Sequence, residues 1–107
     1  MRAVLIATFL SLAAAGPALA YCYEDIGCDD TDRFSGRDLR QLSCQALYEV
    51  RNGIYFQNGY CFKTERALDL FGDDECYVED MEDVRLNANE RNNAALIISV
   101  EKQKGCD

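Results

Sequence analysis

The chain contains no histidine and no tryptophan, and its one proline, Pro17, falls within the first twenty residues. Without histidine there is no Ser-His-Asp or Cys-His machinery, and the commonest zinc ligand sets are out of reach. No Cys-x-x-Cys pair occurs among the six cysteines, so the usual redox and zinc-ribbon spacings are missing as well. Basic residues are scarce: eleven Lys and Arg stand against nineteen Asp and Glu in 107 residues, a net charge of −8. That deficit excludes nucleic acid as a partner, because phosphates need a basic face. It disfavours anionic membrane surfaces too, and leaves solubility or a cationic partner as the uses of the charge.

The one apolar run of any length lies at the start. Arg2 carries the only early charge, and Ala3 to Leu12 is apolar but for Thr8 and Ser11. Gly16-Pro17 then breaks the run, and Ala18-Leu19-Ala20 has the small-x-small pattern read by a signal peptidase. A spanning helix needs roughly 20 apolar residues, and this run is shorter. Residues 1–20 are therefore expected to be a signal peptide cleaved after Ala20, giving a periplasmic or secreted product that begins at Tyr21. Cys22 falls one place too late for a lipoprotein anchor. Removing the leader leaves ten basic and nineteen acidic residues and no proline.

A domain of this size buries too little surface to be secure without help, and exported proteins commonly find that help in cross-links. Cys22, Cys28, Cys44, Cys61, Cys76 and Cys106 all lie beyond the leader and are even in number. Six cysteines allow about fifteen pairings, and spacing alone selects none of them.

Residues 21–34 read as an irregular segment holding five acids. An EF-hand loop wants acids at its first, third and fifth positions and then Gly. Counted from Asp30, those last two places hold Phe34 and Ser35, so the pattern fails. Ser43 is a good N-cap for a helix in which Leu47, Val50 and Ile54 share a face with Cys44, and Leu42 can staple onto Leu47. Gly53 weakens that helix unless something packs closely on it. Asn58-Gly59 ends it, and a turn of helix at 37–41 can precede it. Thr64 caps a short second helix, Glu65–Phe71, with Leu68 and Phe71 inward and Gly72 at its end. Seven acids follow between Asp73 and Asp83. Asn87 and Glu90 have capping-box spacing for a last helix whose inward side is Ala94, Ile97, Ile98 and Glu101, widened by Leu96 and Val100. With no alternating strand pattern, the expected fold is all-α: a small disulfide-stapled domain of about three helices with irregular acidic loops, spanning 35–107.

The segment Leu42 to Phe62, LSCQALYEVRNGIYFQNGYCF, resembles the YARHG domain, a bacterial extracytoplasmic module of about 70 residues. Arg51-Asn52 matches the family's Arg-Asn pair. Tyr55-Phe56-Gln57-Asn58-Gly59 occupies its Tyr-Ala-Arg-His-Gly signature, keeping Tyr and Gly, and Tyr60 is the aromatic residue that follows. Gly59–Thr64, then Phe71-Gly72 and Cys76, resemble cysteine-bearing short members. The resemblance covers about two-thirds of the chain and implies a fold and an address at the cell envelope. It places a possible binding surface at Arg51, Asn52, Tyr55 and Tyr60. For three of these the structural use is as good or better: an ion pair for Arg51, a backbone hydrogen bond for Asn52, rim packing for Tyr55.

Helix placement then suggests a disulfide scheme. Cys61 and Cys76 flank the short second helix, antiparallel packing would bring Cys44 at one helix start to Cys106 past another helix end, and Cys22–Cys28 remains. The functional expectation is an exported non-catalytic module, without cofactor or metal, that binds or stabilises a cell-wall or envelope component. The alternative is an acidic inhibitor of a cationic secreted enzyme such as lysozyme, steered by the acids of 73–83. Carboxylate catalysis is disfavoured because the acids cluster in charged loops, where a dry cleft and a raised pKa are hard to build.

Overall fold

A computed structural model describes residues 21–107; the leader and its cleavage after Ala20 lie outside the described residues. Cys22–Tyr23 (β1) and Gly27–Cys28 (β2) pair antiparallel, with Cys22 opposite Cys28 and Tyr23 opposite Gly27. The first half of the segment expected to be irregular is thus a miniature hairpin closed by the Cys22–Cys28 disulfide, while 29–34 has no regular structure, and the all-α expectation is corrected to a mostly helical fold with a minor sheet. Two-residue strands are too short to leave an alternating pattern in a sequence.

Among the described residues the α-helices number four rather than three. Gly36–Arg40 (α1) is a full element, with the Ser35 hydroxyl accepting from the Asp38 N–H at 3.1 Å. Cys44–Gln57 (α2) starts at Ser43, whose Oγ accepts from the Ala46 N–H at 3.1 Å, and buries Leu47, Val50 and Ile54. Glu65–Phe71 (α3) is capped by Thr64 but buries Ala67; Leu68 and Phe71, expected inward, are only half-buried. Ala88–Lys104 (α4) carries the anticipated capping box: Asn87 Oδ1 accepts from the Glu90 N–H and Glu90 Oε1 from the Asn87 N–H, both at 2.8 Å. Its buried face is Asn93, Ala94, Ile97, Val100 and Glu101, with Ile98 turned outward, contrary to expectation. Gly105 ends it in the left-handed conformation.

α4 is the spine. Both α1 and α2 pack against it, and Leu39, Leu47, Ile54, Ile97 and Val100 form the dry centre. Ile26 and Phe34 from the N-terminal segment join the same core. The Cys44–Cys106 disulfide, with Cα atoms 5.5 Å apart, ties the start of α2 to the end of α4, so the two run antiparallel. Cys61–Cys76 closes the span containing α3. All three pairings are those expected from the helix placement. The acidic segment contains a 3-10 turn, Met81–Asp83, and pairs with the end of α2 through a bridge between Tyr60 and Val78. Among the described residues no helix is long and apolar enough to cross a membrane.

Candidate functional site

The signature segment at the end of α2 is a junction. Phe56 lies against Phe71 of α3, ring centroids 5.1 Å apart, and Phe71 in turn stacks on Phe62. Gln57 Nε2 donates to Asp29 Oδ2 at 2.7 Å and so holds the N-terminal segment. Asn58 Nδ2 donates to Ile54 O at 2.8 Å and to Glu90 Oε2 at 3.1 Å, which holds the start of α4. Gly59 has φ +88°, and a Cβ built on it would lie 2.4 Å from the Tyr77 ring, so only glycine lets the acidic loop lie down there. The Tyr77 and Val78 N–H groups both donate to Gly59 O at 2.9 Å.

The four residues singled out from sequence are distributed over this framework. Arg51 Nε donates to Glu101 Oε1 at 2.8 Å and Nη2 to Oε2 at 3.2 Å, a two-point pair across α2 and α4. Burial works against the Arg51 charge, but the hydrogen bond and charge of Glu101, together with a smaller contribution from Tyr55, outweigh it, and the guanidinium is held above its ordinary range. Asn52 is buried and donates to the Tyr48 carbonyl at 2.9 Å. Tyr55 is half-buried against the core. Tyr60 meets Phe62 edge-on at 5.0 Å, with the Lys63 ammonium 5.6 Å from its ring centre.

The described residues also form a concavity away from these side chains. An open groove of about 770 Å³ runs between the hairpin, α2 and α3, within the size range of ligand clefts. Tyr21, Tyr23 and Ile26 form the hairpin wall, and Leu42, Ala46 and Val50 the α2 wall. Leu70 and Phe71 close the α3 side. Glu24, Asp25 and Glu49 stand around it, and among the described residues no lysine or arginine lines it. Gly53 shapes this corner: a Cβ there would sit 3.2 Å from the Tyr21 ring, which explains the small residue in mid-helix. Sequence reading missed the groove. One available signal was Leu70, an apolar residue of α3 off the side of Leu68 and Phe71, which is 45% exposed.

Two buried polar groups were missed as well. Asn93 lies four residues before Ile97, on the inward stripe. Its Oδ1 accepts from the Phe34 N–H at 2.9 Å, and its Nδ2 donates to the carbonyls of Asp29 at 3.1 Å and Asp32 at 2.9 Å. Asp29 is fully buried; Oδ2 is bound by Gln57, while Oδ1 has no partner. Burial raises its pKa, and the hydrogen bonds from Gln57 and from backbone only partly offset this. Burial, and then the charge of Asp29, push the Tyr23 phenol well above its usual range. Among the described residues no group of three or more Cys, Asp or Glu is placed to hold a metal ion.

No curated protein and no solved structure matches the chain. The YARHG domain family matches residues 25–102, which takes in the second half of the hairpin, the α2 and α3 walls of the groove, the junction and nearly all of α4. The chain therefore belongs to the YARHG domain family, a family of extracytoplasmic modules, and its three disulfides suit that address.

Proposed function

We propose that this protein is an exported, non-catalytic module that binds, and thereby stabilises, a component of the cell envelope. The groove beside the hairpin carries the reading: it is an apolar, open cleft on a frame fixed by three disulfides. Its walls hold shape rather than chemistry. The buried acids outside it serve structure, with Glu90 in the α4 cap and bound by Asn58, and Glu101 paired with Arg51. Residues 1–20 act as the export signal in this reading, and the amino terminus of the purified exported protein is Tyr21. Incubation with purified peptidoglycan and with envelope extract tests the proposal. Retention above that of an acidic control protein is expected; equal retention would sink it.

A second reading, inhibition of a cationic secreted enzyme such as lysozyme, is favoured by one observation. Tyr77 is 76% exposed and Met81 41% exposed within the acidic segment, which is pinned by Cys61–Cys76 and by the backbone bonds to Gly59. A rigid aromatic anchor among acids suits a basic protein surface. Inhibition at low ionic strength that fades with added salt is its signature; no inhibition at low salt disposes of it.

A further inference from the structure

We propose that the groove between the hairpin, α2 and α3 receives a short cationic amphipathic segment of a partner protein, with an apolar side chain inside and Lys or Arg against the acidic margin. This rests on the envelope-binding reading above and narrows it to one chemistry of partner.

Charge and shape together support it. The interior is made by Tyr and aliphatic side chains, so it rewards burial of an apolar group. Every charged residue lining the groove is acidic: Glu24, Asp25 and Glu49. Among the described residues, the only hydrogen bond that engages one of these carboxylates is from Gln45 Nε2 to Glu49 at 2.8 Å, and no salt bridge neutralises any of the three. An anionic or purely apolar occupant would have to sit beside three uncompensated carboxylates, whereas a basic segment supplies their counter-charges. Leu70, 45% exposed at the α3 side, is the apolar surface that such a segment would cover. The walls are held without an occupant, by Cys22–Cys28 at the hairpin, by Gly53 against Tyr21, and by the Phe56–Phe71 stack. A preorganised cleft of this kind loses little on binding.

The test uses fluorescence anisotropy of the purified protein with three labelled peptides of one length: alternating Lys and Leu, the same with Glu for Lys, and the same with Ser for Leu. The Lys-Leu peptide is expected to bind at least about tenfold more tightly than either relative, and to weaken as salt is raised. Glu49→Lys and Leu70→Asp alter exposed side chains; each should weaken that peptide about tenfold, while Glu82→Gln in the acidic loop leaves it within about twofold. Thermal melts of both groove variants establish that they are folded, and Glu24→Lys gives a second charge reversal should either melt early. Equal binding of the Glu-Leu peptide overturns the proposal. So does full displacement by an uncharged alkyl glycoside, which would mean apolar burial alone, or self-association that the Leu70→Asp variant abolishes, which would place a second copy in the groove. Envelope retention that persists in Leu70→Asp and Glu49→Lys sinks this inference while leaving the broader function standing; no retention of the unaltered protein above the acidic control sinks the function.

Discussion

Asn93 shows how much one polar side chain can organise. Buried on the inward face of α4, it uses both amide hydrogens and its oxygen to fix Phe34, Asp29 and Asp32, three points of a segment with little regular structure of its own. Asn93→Ala strands those backbone groups out of water and should cost about 3 kcal/mol, read as a shift in urea midpoint. A loss below about 0.5 kcal/mol, the range of ordinary surface changes, would mean the segment does not depend on it. Asp29 works in the opposite sense. Its pKa is higher in the folded chain than in an unfolded one, mainly through burial. The folded state therefore keeps the proton to higher pH, and stability declines as pH rises from the ordinary carboxylate range through the raised value. Asp29→Asn removes that decline, so the variant's stability relative to the parent should be greater at about pH 7 than at about pH 3. A difference that does not change with pH would contradict the assignment.

At the scale of elements, local signals were legible where a cap or a period of 3.6 was present. Ser43, Thr64 and Asn87 each start the helix expected of them, and Gly105 stops the last one. The closure of the hairpin by Cys22–Cys28 was legible but its strands were not, because two-residue strands have no pattern, and Asn93, which holds the Asp29 carbonyl just past them, is 64 positions away. Ile98 was misplaced for a related reason: on a helix covered by three neighbours the inward stripe is set by what packs there, and Asn93 took a place that polarity had assigned to solvent. The groove was beyond sequence because its walls come from three separate segments. The cap of α4 offers a measurable contrast. Asn87→Ala loses one capping bond and a solvent-exposed 3.1 Å bond to the Asp30 carbonyl, and should cost about 1 kcal/mol. Glu90→Ala loses its side of the box and also the link from Asn58, and should cost more, about 2 kcal/mol. Thermal melts of the two variants order them, and the reverse order would refute the tie between α2 and α4.

For the whole molecule, the cross-links carry unequal shares. Cys44–Cys106 spans 62 positions, Cys61–Cys76 spans 15, and Cys22–Cys28 only 6. Chain entropy ranks their contributions in that order, at about 4, 3 and 2.5 kcal/mol. Paired Cys→Ser variants melted side by side should follow the same ranking, and a hairpin pair costing most would show that folded-state packing rather than chain entropy sets the scale. The long bridge has a further consequence. Any single protease cut between residues 45 and 105 leaves both pieces joined through Cys44 and Cys106. In the enzyme-rich space outside the cytosol, a nicked molecule would thus travel as one body on a non-reducing gel and come apart only when a thiol is added.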